Sequence, residues 1–153
     1  MTEQTSSTPR VPRLAKTAMA FQAFLLRRNW LGSMGDEIMV ITTTGRKSGR
    51  SYTTPIGYLR DGSSIIALNP GGGSNWYKNV LKNKQARLEI KGKTYLAQAA
   101  PIDDPEDRKR VFELYRQERT KRFKLLFGVE ADASLEELEQ ALASRRFIRF
   151  YLT

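Results

Sequence analysis

The chain has 153 residues, 26 Lys and Arg against 16 Asp and Glu, a formal charge of +10, and neither cysteine nor histidine. The length fits one domain that buries a core without staples. The missing residue types exclude disulfides, thiolate metal sites, cysteine nucleophiles and Ser-His-Asp or Cys-His catalysis; no carboxylate cluster has the spacing of a hard-cation site, so no metal is expected.

The basic excess favours an acidic partner, whether nucleic acid, an anionic membrane or a polyanionic small molecule, or else is simply a basic surface. Residues 1–13 are polar and proline-containing and read as a disordered arm, with residues 14–153 as a single domain. From Leu14 to about Trp30 the spacing of Leu14, Met19, Phe21, Phe24, Leu25 and Leu26 predicts an amphipathic helix tipped by Arg27 and Arg28. No long apolar run accompanies it, so neither a signal peptide nor a spanning helix is expected, and the cytoplasm is the default location. Ile38 to Thr44 is β-branched and reads as a buried strand.

Tyr52 to Arg60 reads as a second strand, Asp61-Gly62 as a hairpin turn and Ser64 to Asn69 as a third strand. Pro70-Gly71-Gly72-Gly73 breaks the chain, and Ser74 caps a short helix carrying Trp76, Tyr77, Val80 and Leu81. Ala86 to Ile90 and Thr94 to Ala99 flank a tight turn at Lys91-Gly92-Lys93. Asp104-Pro105-Glu106-Asp107 starts a helix running to about Phe123, and Ser134 with Glu137 forms a capping box for another ending near Ser144. Phe147 to Leu152 is the last strand. The expected fold is therefore mainly β with peripheral helices (α+β), a small barrel of about six mostly antiparallel strands.

Three segments carry residue types suited to ligand chemistry. Gly45-Arg46-Lys47-Ser48-Gly49-Arg50 places a guanidinium, an ammonium and a hydroxyl between two glycines. Such a loop can grip phosphate or carboxylate through charged donors and exposed amides, or it is a solvated basic turn. It matches neither the Walker A nor the dinucleotide spacing. Asn69 to Tyr77 sets glycines beside a Trp-Tyr pair, which suits a planar heterocycle, or else is a flexible loop followed by core anchors. Thr53 to Tyr58 holds Pro55 and Gly57 in a strand pattern, which implies an edge, a bulge or close backbone approach. The charge run Arg116 to Lys124 reads as a solvated helix face, and no motif lifts it toward nucleic-acid binding.

Taken together, ITTTGRKSGR, then TTP, YLRDG, a Gly-rich loop and WYKNVLKN resemble the deazaflavin-dependent nitroreductase family, also known as quinone-reductase-type deazaflavin oxidoreductases. The likeness covers roughly Gly32 to Ala99. It implies a split β-barrel of the FMN-binding type. It also implies coenzyme F-420, an 8-hydroxy-5-deazaflavin with an acidic phosphate and oligoglutamate tail; FMN is the alternative cofactor. On the family pattern Arg46, Lys47, Ser48, Gly49 and Arg50 would hold the tail. Thr54 and Pro55 would line the channel, Asn69, Gly71 and Gly72 would face the ring, and Trp76 would stand near ring or acceptor. The chain departs from the pattern at Tyr52, where members carry a further arginine, at Asn69-Pro70, and in a shorter link from the glycines to Trp76-Tyr77.

The implied function is hydride transfer from the reduced cofactor to a quinone, enone or nitro compound, chemistry that the cofactor performs without histidine or cysteine. Tyr58 and Tyr77 are the candidate proton donors. The competing reading is a non-catalytic split barrel that binds cofactor or lipid. The expected partner is a small-molecule acceptor rather than nucleic acid. Peripheral membrane contact would go through the N-terminal helix. The chain would be a monomer or homodimer.

Overall fold

The computed structural model describes residues 37–69 and 74–153. The expected arm, the helix over 14–30 and the breaker at 70–73 lie outside the described residues. In chain order the elements are β1 (Ile38–Thr44), β2 (Ser51–Gly57), β3 (Leu59–Asp61), β4 (Ser64–Asn69), α1 (Asn75–Asn83), β5 (Gln85–Ile90), β6 (Lys93–Pro101), α2 (Pro105–Glu118), a 3-10 turn (Thr120–Arg122), α3 (Phe123–Phe127), α4 (Leu135–Ala143) and β7 (Arg146–Leu152). The strands form one curled antiparallel sheet in the order β2-β1-β5-β6-β7-β4-β3.

Two expected boundaries are corrected. The single strand anticipated over Tyr52 to Arg60 is two strands, which raises the count from about six to seven. β2 pairs with β1 and β3 pairs with β4, so the chain changes partners at Tyr58. The Tyr58 N–H instead donates to the Glu37 carbonyl (2.8 Å). β2 and β3 are the two ends of the sheet order yet are separated by one residue, so the sheet has to curl until its edges meet. Pro55 lies on edge strand β2, opposite Val40, as a proline in a strand requires.

The second correction concerns α2, which ends at Glu118 rather than near Phe123. Arg119 leaves helical geometry (φ −127°, ψ 40°) and sends its guanidinium to the Tyr58 carbonyl (3.0 Å). A 3-10 turn and the short α3 follow, stopped by Gly128 at φ 79°. The helix starts stand as read. Asp104 accepts from the Asp107 N–H (2.9 Å) ahead of Pro105, and Ser134 accepts from the Glu137 N–H (3.2 Å). The tight turn before β6 places Lys91 and Gly92 at φ 50° and 80°, and the β3–β4 hairpin turns on Gly62 at 61°.

The sheet separates two cores. Inside the curl, Met39, Ile41, Leu88, Ile148 and Phe150 pack with Trp76 and Val80 of α1. Outside, Ile66, Leu68 and Phe147 are covered by Val111, Phe112, Phe123 and Phe127. β4 alternates between them, Ile65 and Ala67 inward and Ile66 and Leu68 outward, so it is buried on both faces. β1, expected to be buried throughout, is fully buried only at Met39, Ile41 and Thr43. The difference is coverage: helices cover the outer face of β4 and β7, and the outward positions of β1 are half-buried.

A charged cluster locks α2 to the sheet. Arg149 of β7 is buried and donates to Asp61 Oδ2 (2.6 Å), Ser64 Oγ (2.8 Å) and both Asp107 oxygens (3.0 and 3.1 Å). Arg110 grips the same two aspartates. The hydrogen bond from Arg110, partly opposed by burial and reinforced by Arg149, holds the Asp61 carboxyl at about 2, below its ordinary 3.8. A carboxyl depressed in the folded state stabilises above its unfolded value and loses that contribution as it protonates. Stability should therefore fall as pH drops from about 4 to about 2, by roughly 2 kcal/mol from this group. Asp61→Asn should flatten that part of a urea-melt pH profile; an unchanged slope would refute the assignment.

A basic cleft and an apolar cleft joined by one helix

The loop between β1 and β2 is closed by its own backbone, with the Gly45 N–H on the Arg50 carbonyl (2.7 Å) and the Gly49 N–H on the Gly45 carbonyl (3.0 Å). Its two glycines serve different ends. Gly49 sits at φ +71°, where side chains are strained. Gly45 is a matter of space: a Cβ there would meet Tyr52 Cε2 at 2.5 Å and Ser48 Oγ at 2.7 Å. Tyr52 thus props the loop, its hydroxyl 3.0 Å from Ser48 Oγ. The Arg50 N–H also donates to Ser48 Oγ (3.2 Å).

The loop is fastened to α1 by Asn79, a residue the sequence reading did not single out. Buried Asn79 accepts from the Arg46 N–H (3.2 Å) and Arg46 Nη1 (3.0 Å) and donates to Thr43 Oγ1 (3.0 Å). Asn83 adds a bond to the Thr44 carbonyl (2.7 Å). Both asparagines lie on the helix WYKNVLKN four residues apart, so they share the face that meets the loop. That spacing was the available signal. Lys47 and Arg50 are exposed, and among the described residues the side chain of Lys47 has no recorded partner. Gly45, Arg46, Lys47, Ser48, Tyr52, Asn75 and Asn79 line a cleft of about 180 Å³.

Asn79→Ala should free the Arg46 guanidinium and unpair Thr43. The expected result is at least fivefold weaker anion binding in the basic cleft and roughly 1–2 kcal/mol of lost stability, read by titration and chemical denaturation. A variant that binds as the parent does would show that Asn79 does not position the loop.

A second cleft, of about 410 Å³, opens beside the first turn of α1. Its wall is mostly apolar (Ile38, Ile56, Leu68, Trp76, Leu126), with Tyr58 and Tyr115, the amide of Asn69 and the charges of Glu37, Arg119 and Arg122. Trp76 stands edge-on to Tyr77 (6.0 Å, 86°). The Ser74 hydroxyl donates to Asn69 Oδ1 (2.8 Å); it precedes α1 as expected but makes no side-chain cap bond. Burial pushes the Tyr115 hydroxyl well above its ordinary range, with Arg119 opposing in the smaller part, so Tyr115 keeps its proton at neutral pH.

The expected site residues thus separate. Arg46, Lys47 and Ser48 share the basic cleft, while Asn69, Trp76 and Tyr58 share the apolar one. Asn75 and Trp76, adjacent in sequence, face different clefts, so α1 is the wall between them. Thr54 and Pro55 are half-buried on β2 and, with Tyr77, line neither cleft among the described residues. Gly71 and Gly72 lie outside the described residues. Tyr115, Arg119 and Arg122 were missed as cleft residues: they lie some sixty residues beyond the strands they face and read as one solvated helix. Among the described residues no group of His, Cys, Asp or Glu could hold a metal ion, and no helix is long and apolar enough to cross a membrane.

A curled antiparallel sheet, with a basic loop between β1 and β2 and an apolar cleft between α1 and the segment that follows α2, defines a split-barrel fold. Among solved structures the chain is similar to an F420-H2 dependent reductase, FDR-A (19% identity, 74% of this chain and 93% of that one, TM-score 0.53). The same fold appears in the heme storage protein of Vibrio cholerae (13%, 82% and 89%, TM-score 0.55). It appears also in an FAD-binding protein from Mesorhizobium loti (11%, 82% and 89%, TM-score 0.51). The family model of the F420H(2)-dependent quinone reductases matches residues 23–124, and the chain belongs to that family. An F420H(2)-dependent quinone reductase of Mycobacterium tuberculosis is 26% identical over 91 residues; the match spans 56% of this chain and 60% of that relative. Membership brings with it a deazaflavin cofactor, coenzyme F-420.

Proposed function

We propose that the protein is a deazaflavin-dependent oxidoreductase that reduces a small organic acceptor (a quinone, enone or nitro compound), with the cofactor's acidic tail in the basic cleft and its ring in the apolar cleft. The observation that carries this reading is the pairing of the two clefts across one helix, charged donors on one side and an aromatic-lined cavity on the other. The residues present suit the group. Arg46 and Lys47 offer charge-assisted donors to phosphate and carboxylate, and the apolar wall beside Trp76 offers a dry face to a planar ring system.

When bound, the cofactor supplies the hydride; the protein binds, orients and keeps water out. Trp76 and Ile56 exclude solvent from the cavity, and Asn69, held by Ser74, presents an amide at its edge. Tyr58 lines the cavity on the short crossing between the sheet's edges and is the candidate to pass a proton to the reduced acceptor. Fluorescence titration with oxidised coenzyme F-420 tests binding, and oxidation of the reduced coenzyme across an acceptor panel tests turnover. Absence of saturable binding at micromolar coenzyme would end this reading.

A further inference from the structure

We infer that Arg122 makes the apolar cleft selective for acceptors that carry an anionic oxygen, a carboxylate or acidic hydroxyl, on an apolar ring body. This deepens the proposed function and rests on it for the word acceptor; the anion preference is a property of the cleft itself.

Among the described residues the cleft carries two guanidiniums, Arg119 and Arg122, and one carboxylate, Glu37. Arg119 is committed: its Nη2 donates to the Tyr58 carbonyl (3.0 Å), its Nη1 to the Glu118 carbonyl (3.1 Å), and its Nε lies 3.8 Å from Glu37 Oε1. Glu37 turns its other oxygen to Arg122 Nε at 2.5 Å. Arg122 is thus ion-paired to Glu37, and among the described residues its terminal nitrogens make no hydrogen bond. A guanidinium placed by an ion pair, with its terminal N–H groups unbonded, can receive a planar oxyanion. Arg122 is half-exposed, as a group meeting an incoming ligand must be, whereas Arg119 is nearly covered.

The surroundings strengthen the effect. Leu126 and Ile38 line the same cleft, so an anion bound there sits beside low-dielectric surface, where a guanidinium acts more strongly than in open water. A neutral ligand of the same shape would gain the apolar contacts and leave the guanidinium fork to solvent. The difference between the two ligands is what Arg122 contributes.

Calorimetry on the full chain, with excess oxidised coenzyme F-420 present, can compare 2-naphthoate with its neutral isostere 2-naphthamide. The parent should bind naphthoate about tenfold more tightly, the worth of one charge-assisted contact. Arg122→Gln should bring the two ligands within about twofold of each other, while Arg122→Lys, which keeps the charge and loses the fork, should keep part of the preference. Equal affinities in the parent, no binding of either ligand, or a preference that survives Arg122→Gln would overturn the assignment. Loss of coenzyme affinity in Arg122→Gln with the naphthoate preference intact would overturn it too, by giving Arg122 to the cofactor. A separate coenzyme titration separates the two claims: a naphthoate preference without coenzyme binding refutes the proposed function and leaves the anion selectivity standing.

Discussion

Lys47→Glu should weaken binding of oxidised coenzyme F-420 by about 30-fold or more, the loss of one charge-assisted contact plus the repulsion that replaces it. The reason is the division of labour in the loop. Arg46 is partly spent on Asn79, and Ser48 is tied to Tyr52 and the Arg50 amide. Lys47 is exposed on the cleft wall, and among the described residues its ammonium makes no hydrogen bond or ion pair. Of the cations that line the cleft, Lys47 is therefore the one a polyanionic tail would find uncommitted. Lys109→Glu, on the exposed face of α2, changes net charge equally and serves as the control. A local grip predicts that only the Lys47 variant loses affinity; a diffuse field predicts that both lose it alike, with a steep fall in salt. Fluorescence titration at two salt concentrations distinguishes them.

Phe123→Ala should cost about 3–5 kcal/mol and lower the melting temperature by roughly 10 °C. Phe123 is fully buried at the start of α3, its ring 5.4 Å from Phe112 and 4.7 Å from Phe127. Those rings continue through Tyr115 to Phe147 of β7, so a chain of tilted and edge-on rings runs through the outer core. The turn between α2 and α3 carries Arg119 and Arg122 to the cleft, and Tyr115 is shared by that chain of rings and the cleft. A cavity at Phe123 should therefore loosen the acceptor side more than the basic loop, which packs on α1 at the far end of the inner core. Calorimetric melting tests the stability effect. Coenzyme-tail binding by the folded variant tests the second part, and equal damage at both clefts would contradict it.

Local patterns carried much of this molecule in readable form. The β-branched run of β1, the glycines of the tight turns, the aspartate-proline start of α2 and the serine-glutamate box of α4 are each decided by backbone conformation or by hydrogen bonds within a few residues, and each stands where the pattern placed it. The basic loop was legible as a turn for the same reason, since its bounding glycines mark where the backbone bends. Its family motif also pointed to the cofactor, and the family match agrees.

What only the tertiary structure decided are the choices that depend on partners distant in sequence. One apparent strand became two because its halves pair with opposite ends of the sheet, and Tyr58 carries the crossing. Asn79 looked like an ordinary helix polar residue until the fold set it under the loop, where Arg46 and Thr43 share its amide. The run from Arg116 to Lys124 read as one solvated helix. Arg119 breaks it by bonding a carbonyl sixty-one residues away, and the break delivers two guanidiniums to an apolar cleft. Loop and turn chemistry is local and can be read along the chain. The side of the apolar cleft built by Tyr115, Arg119 and Arg122 is set by long-range packing, for which neither composition nor periodicity leaves a mark.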